Sequence, residues 1–423
     1  MKVLRLIYQK KGYPNPYSIN VLIWVPFILL LFSACNASKP YVAKNPASQR
    51  FRDVTRLLFQ EKLFVFQARF LRANQDAFSD LAVLDKTKTK LYILINRRNK
   101  GFLKNFSGQW TQENKEKINF FVSTDLNGDG GDDLVLILGG RKKPKTRTLF
   151  NNKKGYFYPK ENEGTHFLAP GIEKVVPIDI DGDGDKDLFY FGSKTKASNK
   201  KSHQTMILVN KGDGSLENLT SLLMPDLPDG IQDASFADYD GDGVVDIFLV
   251  YKKKQNRLLL NNGVGKFSDY TSSRLPKIID DSMHADWADF DQDGDNDLLI
   301  VNRSIEKKYR GYFRETNYFL ENIGGGNFRK RSHKILPRLP AQKVYLLDGN
   351  GNTRPDALIL TVKGVFYFQA RRSKWQFSDE TEKRLPGYRQ FSQMVFGNIN
   401  RDKFLDLFAW SEKTKRLWIN RFD

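Results

Sequence analysis

Seven times along the chain an aspartate is followed by a run that is apolar at every position. The runs are DLAVL from Asp80, DLVLI from Asp133, DLFYF from Asp187, DIFLV from Asp246, DLLIV from Asp297, DALIL from Asp356 and DLFAW from Asp406. Alternating apolar and polar residues would mark strands wet on one face, whereas unbroken short runs mark strands covered on both faces. A second pattern follows: LYILINRRNKGF, TLFNNKKGYF, MILVNKGDGSL, LLLNNGVGKF, YFLENIGGGNF and VFYFQARRSKWQF. In each, an apolar stretch reaches a turn, mostly rich in Asn and Gly, and a second stretch begins beyond it, which predicts a hairpin. Each repeat therefore reads as four strands: a first strand, a second formed by the apolar run, a third before the turn, and an outer fourth.

Between first and second strands lies a nine-residue loop. Strong copies are DLNGDGGDD from Asp125, DIDGDGDKD from Asp179, DYDGDGVVD from Asp238 and DFDQDGDND from Asp289. Weaker copies are RANQDAFSD from Arg72, DGNGNTRPD from Asp348 and NINRDKFLD from Asn398. Their starts lie 53, 54, 59, 51, 59 and 50 residues apart. Four-stranded sheets repeated at this period, each buried by its neighbours, predict an all-β, seven-bladed β-propeller. The last repeat stops at RLWINRFD, a third strand without an outer one. Residues 50 to 58, RFRDVTRLL, resemble the outer strands KFSDYTSSRL and QFSDETEKRL and are expected to complete the last blade, closing the ring.

The strong loops carry side-chain oxygens at positions one, three, five and nine. These are Asp125, Asn127, Asp129 and Asp133; Asp179, Asp181, Asp183 and Asp187; Asp238, Asp240, Asp242 and Asp246; Asp289, Asp291, Asp293 and Asp297. Glycine at position six, as at Gly294, permits the bend that returns position nine to the others. Carboxylates so gathered repel one another unless a cation joins them, and an all-oxygen set of irregular geometry suits Ca²⁺ better than Mg²⁺. The spacing matches the first nine positions of an EF-hand loop, but a strand replaces its final glutamate. About four structural Ca²⁺ are expected. In the weak copies, Asp80, Asp356 and Asp406 are expected to accept backbone N–H bonds instead.

These repeats resemble the FG-GAP or VCBS type of integrin α-subunit propellers and of many bacterial exported proteins, over residues 50 to 423. The resemblance implies calcium in the loops between first and second strands and ligand binding on the opposite face. It implies no particular ligand.

Net charge is +19, and Cys35 is the sole cysteine, which excludes intrachain disulfides and thiolate-rich metal sites. Residues 1–34 carry four basic residues and no acid, with an apolar run from Val21 to Phe32, a signal-peptide pattern. LLFSAC resembles a bacterial lipobox, with Phe32 where leucine is usual, which implies lipidation of Cys35. Residues 35–49 read as a flexible tether. The expected address is the cell envelope, with Asn36 favouring the outer membrane by resemblance to lipoprotein sorting, and the expected state is a monomer.

The positive charge is concentrated between second and third strands. Segments 85–90, 141–147, 194–201, 252–257, 303–316, 363 and 412–416 carry +21 together, against +15 for all of residues 35–423, so the remainder is acidic. In an antiparallel blade these segments lie opposite the acidic loops. One face is then expected to hold metal and the other a basic ring attracting an anionic glycan, a lipid headgroup or an envelope protein. Lys142, Lys143, Lys252, Lys253, Lys254, Lys307, Tyr309 and Arg310 are the candidate contacts. Nucleic acid fits the charge but not an exported address. Lysine at hairpin tips also serves solubility alone. The rival readings are an enzyme acting on acidic polysaccharide, such as a lyase, and an envelope assembly scaffold. No nucleophile elbow, zinc motif or phosphate loop is present, and no catalytic residue is assigned. Of the four histidines, His284, within DDSMHADWADFD, is the best-placed one, beside a channel mouth.

Overall fold

In a computed structural model of the chain, consecutive repeats stack face to face and the last meets the first. The structure describes residues 50–55, 63–98, 101–105, 116–139, 143–159, 166–192, 205–303, 317–331, 336, 340–385, 391–402 and 404–421. All belong to one compact unit, Tyr41–Asp423. The expectations for residues 1–34 and 35–49, for Cys35, and for Lys142, Lys307, Tyr309 and Arg310 lie outside the described residues. Among the described residues, no helix is long and apolar enough to cross a membrane.

The architecture is an all-β propeller of four-stranded antiparallel blades. The first repeat shows the order: Val65–Leu71, Asp80–Asp85, Leu91–Asn96 and Phe102–Asn105 pair in sequence. The apolar second strands are buried along their length, as at Asp133–Leu138, Asp187–Gly192, Asp297–Asn302 and Asp356–Thr361. Buried apolar residues form clusters that each join two consecutive repeats. Leu134 and Leu136 pack with Ala82 and Leu84, for example, and Phe408 and Leu417 of the last repeat pack with Ala68, Leu81 and Val83 of the first. Each fully buried Leu or Phe contributes about 1.5–3 kcal/mol by leaving water.

The ring closes through Arg50–Asp53, which pairs antiparallel with Lys415–Arg421 and takes the outer position in the last sheet. The likeness of this segment to other outer strands has a cause in its threonine. Thr55 Oγ1 accepts the N–H of Leu417, as Thr271 Oγ1 accepts that of Leu258 and Thr381 Oγ1 that of Tyr367. The preceding aspartate holds each threonine in place, with Asp53, Asp269 and Asp379 accepting the threonine backbone N–H. A polar pair thus serves the edge of the third strand where the outer strand ends.

Seven separate sheets are expected, but the described strands form five separate blades and one eight-stranded sheet. The eight strands are the fourth and fifth repeats, Ile231–Asp269 and Asp280–Arg331 in extent, joined where Asp246–Lys254 runs past its usual end. There Lys252 pairs with Asp281, and Lys254 with Asp280, at the start of Asp280–Ala288. Lysines at the tip of one repeat facing aspartates at the root of the next favour this extension, since opposite charges across a strand pair attract. The second repeat also departs: two short pieces, Phe157–Tyr158 and His166–Phe167, share the outer edge of Lys145–Asn151.

Candidate metal-binding loops

Each acidic loop is anchored by its last aspartate, which has no solvent exposure in any repeat. Asp187 Oδ2 accepts the N–H of Ile180 at position two, and Oδ1 that of Asn210 at the end of the third strand. Asp246 is bound likewise by Tyr239 and Asn261, and Asp297 by Phe290 and Asn322. Asp80, Asp356 and Asp406 accept the same pair of bonds, from Ala73 and Asn96, Gly349 and Ala370, and Ile399 and Asn420. The anchoring bonds expected only of the weak loops are therefore common to all, and do not separate loops by metal content. Burial nonetheless pushes these carboxyls up to about 7, against the opposing backbone bonds.

Position one shapes the bend. Asp179 Oδ1 and Oδ2 accept the N–H groups of Gly182 and Gly184, and Asp289 those of Asp293 and Gly294. Gly294 sits at φ +101°, the left-handed backbone that its position requires. In the sixth repeat Thr353 occupies the same place at φ +67°, held by a bond from its N–H to Asp348 Oδ2.

Position three is the telling one. Among the described residues, Oδ1 of Asp181, of Asp240 and of Asp291 is buried and forms no hydrogen bond of good geometry, although the Trp375 side chain lies close enough to Asp291 to lower its carboxyl. These aspartates belong to three clusters, Asp179–Asp181–Asp187, Asp238–Asp240–Asp246 and Asp289–Asp291–Asp297, whose carboxylate oxygens lie within 4.8 Å of one another. Burial, and then the neighbouring Asp183, Asp242 and Asp293 respectively, raise the pKa of each position-three carboxyl. An oxygen left without a donor inside a cluster of negative charge fits a cation, because a buried acceptor otherwise remains unsatisfied at a cost of about 1–3 kcal/mol. Donors that are all oxygen fit a hard ion.

The structure does not bring every expected ligand into these clusters. Asp183, Asp242 and Asp293 at position five turn to the N–H two residues on, at Asp185, Val244 and Asp295. The loop from Asp125 differs further. Asn127 takes position three, and Lys153 Nζ stands 3.7 Å from Asp129 Oδ2 and donates to the Asp129 carbonyl. A resident ammonium partly does what a metal would do there.

At the opposite ends of the second strands, Lys143, Lys252, Lys253 and Lys254 are exposed. Lys254 Nζ donates to the Asp229 carbonyl. A feature missed in the sequence is the asparagine closing the third strand. Its Nδ2 reaches a carbonyl at the start of the preceding repeat's acidic loop, at position one in Asn151 to Arg72 and at position two in Asn210 to Leu126, Asn261 to Ile180, Asn322 to Tyr239, and Asn420 to Gly349. The recurring Asn in LYILIN, TLFN, MILVN, LLLN, YFLEN and WIN was the available signal.

Comparison with known proteins supports the repeat type and the propeller fold. The FG-GAP-like repeat profile matches residues 125–190, 197–249 and 238–300. No curated protein sequence matches the chain. Among solved structures, an Agrocybe aegerita lectin recognising non-reducing terminal N-acetylglucosamine is similar at 14% identity and a TM-score of 0.52, over 82% of this chain and 86% of that one. The lectin BP39L of Burkholderia pseudomallei is similar at 11% identity and a TM-score of 0.55, over 85% and 97%. BBS1N, solved in complex with ARL6DN, is similar at 10% identity and a TM-score of 0.52, over 88% and 97%. At such identities the likeness is one of fold.

Proposed function

We propose that this FG-GAP-like propeller is an exported, lipid-anchored binding module, stiffened by Ca²⁺ on one face and engaging an anionic partner through the other. The observation that carries the reading is the separation of charge along the second strands. Asp246 begins Asp246–Lys254 within an aspartate cluster, and the strand ends in three exposed lysines, roughly 27 Å away at 3.3–3.4 Å per residue. Anionic glycan is the favoured partner, an acidic lipid headgroup or envelope protein the alternative. Two of the fold neighbours are lectins by description, which is compatible with a glycan.

The ring reads as seven blades, the eight-stranded sheet being two blades joined at Lys252–Lys254. In support, Phe248 and Val250 of its first half pack against Leu298 and Ile300 of its second, as in any pair of neighbouring blades. Ca²⁺ is assigned to the three aspartate clusters, with a fourth, weaker site at Asp125–Asp133, where Lys153 competes. Signal peptide, tether and lipidated Cys35 are assigned from sequence.

The test is an array of acidic and neutral glycans and anionic and zwitterionic vesicles, probed at low and at physiological salt. The reading expects acidic members to bind, with steep weakening by salt. Equal binding of neutral and acidic members would overturn it.

A further inference from the structure

In six repeats the first strand carries a register shift near its start, and the residue after it is repeatedly polar. It is Gln67, Lys174, Asp233, His284 and Lys343 in the first, third, fourth, fifth and sixth repeats. A bulge re-aims the side chain that follows it. Here Lys174, Asp233 and His284 turn toward one another across the first strands, while Gln67 exchanges hydrogen bonds with the Phe121 backbone. Lys174 Nζ lies 3.3 Å from Asp233 Oδ1, and His284 Nε2 lies 3.4 Å from Asp233 Oδ2. Two residues further on, Arg69, Asp286 and Tyr345 occupy the next layer. Arg69 of the first repeat is close enough to Asp233 of the fourth and Tyr345 of the sixth for both to act on its charge.

The apolar runs of the second strands behind this layer are buried, yet Asp233 keeps 15% and His284 12% of their side-chain surface open. The blades of a propeller surround a central channel, and first-strand side chains that are enclosed by protein but still reached by water are placed to line it. Their charges do not cancel. Lys174 is matched to Asp233. Asp286 is turned to backbone, accepting the N–H groups of Leu346 and Trp287, and burial pushes its carboxyl up to about 6. Among the described residues, Arg69 and Lys343 form no ion pair; each lies instead over an aromatic ring, Arg69 Cζ 5.7 Å from Phe120 and Lys343 Nζ 4.7 Å from Tyr345. Asp233 and Asp286 lie near enough to Lys343, and Asp233 to Arg69, to act on their charges. The three cations Arg69, Lys174 and Lys343 nonetheless face only two carboxylates, and partly buried charge left over is unfavourable. His284 supplies a second unmet group. Asp233 orients the imidazole with its N–H at Nε2, leaving Nδ1 a bare acceptor, and Nδ1 is buried without a partner.

We propose that the channel is a binding site for a small organic anion bearing a hydroxyl group, its acidic group held by Arg69 and Lys343 and its hydroxyl donating to Nδ1 of His284. The site shares no residue with the basic outer face and does not rest on that reading. A carboxylate takes both cations, and a hydroxyl a few bonds away satisfies the imidazole, so hydroxy acids and uronates are the favoured class, with polyol phosphates the other source of the same chemistry. Each requirement removes a simpler ligand: acetate lacks the donor and glucose lacks the charge.

Calorimetric titration of the purified full chain with glucuronate, lactate, glycerol phosphate, acetate and glucose tests it. At least one of the first three should bind about tenfold or more tightly than acetate and glucose. Lys343→Gln should weaken that binding about tenfold, and His284→Phe should bring it down to the level of acetate while leaving acetate unchanged. Glycerol phosphate alone binding would assign phosphate as the acidic group. The proposal is overturned if none of the three binds better than acetate and glucose, or if Lys343→Gln and Arg69→Gln, with melting like the parent, bind as the parent does.

Discussion

Asn96 donates from Nδ2 to the carbonyl of Ile399 across 2.9 Å, joining residues 303 positions apart in the chain. Its backbone N–H meanwhile goes to Asp80 Oδ1. One short side chain thus ties the end of a third strand to its own acidic loop and to the loop of the neighbouring repeat. The same bracket recurs around the ring, so the acidic loops are part of the joint between blades as well as candidate places for metal.

Removing one such asparagine should loosen the joint measurably. Asn261 Nδ2 donates to the carbonyls of Ile180 and Val245, and its Oδ1 accepts the N–H groups of Gly263 and Gly265. Asn261→Ala leaves the buried Ile180 carbonyl without its donor and should cost about 2 kcal/mol or more. The sixth repeat already manages without: Ala370 stands at this position, and Tyr367 donates its hydroxyl to Asp356 instead. Urea unfolding checks this, and a midpoint like the parent's would show that the bracket contributes nothing.

The three aspartate clusters make a count. Equilibrium dialysis with Ca²⁺ should find three to four ions per chain, and chelator should lower the melting temperature. Asp291→Ala removes the unpartnered oxygen of one cluster and should delete one ion, because each loop supplies its own carboxylates. Asp348→Ala, in a loop with asparagines at positions three and five, should leave the count alone. Unchanged stoichiometry in Asp291→Ala would remove the assignment.

Acidity separates the metal-free and metal-loaded forms. Burial raises Asp80, Asp133, Asp187, Asp246, Asp297, Asp356 and Asp406 to about 7, from 3.8. A carboxyl with a raised folded pKa contributes stability that is full below pH 3.8 and lost as pH climbs through about 7. His284 works the other way, since burial lowers it to about 3 and its contribution fades below pH 6.5. Seven groups outweigh one. In chelator, the urea midpoint should therefore rise as pH falls from 8 to 5. With Ca²⁺ the gain should shrink or reverse, because protons then compete with the ion. A chelated protein whose midpoint falls over that range contradicts this balance.

Much of this was legible in the sequence because propeller repeats write their period twice, in the apolar second strand and in the acidic loop. Asp187 and its counterparts mark the boundary where one becomes the other, so both the strands and the loop positions could be read. The sheet fused at Lys252–Asp281 was not, since an extra strand pairing between repeats leaves no change of period. Nor was the division of labour within the loops. Asp181 and Asp183 are the same residue type two positions apart, and only the direction of the chain decides which oxygen is left without a donor. The first-strand bulges that gather Arg69, Asp233, His284 and Lys343 were also hidden, because residues from different repeats meet only once the ring has closed.

The basic face is tested through its most exposed cluster. Lys252, Lys253 and Lys254 end a strand whose other end is buried in an aspartate cluster, so their side chains can be changed without touching that cluster. Lys252 and Lys254 pair with Asp281 and Asp280 through the backbone, which Gln retains, so the joined sheet loses only the charge attraction that favours it. Replacing all three with Gln should therefore leave Ca²⁺ binding as it was and shift melting little, exposed substitutions being worth about 0.5 kcal/mol or less each. Affinity for acidic glycans or vesicles should fall, and its dependence on salt should flatten, because fewer charges remain to be screened over the ~8 Å that operates at physiological ionic strength. Asp348→Asn, on the face carrying the acidic loops, should change neither. If the triple variant holds every acidic ligand as tightly as the parent, with the same salt slope, the lysines serve solubility and the outer face is not where an anionic partner docks.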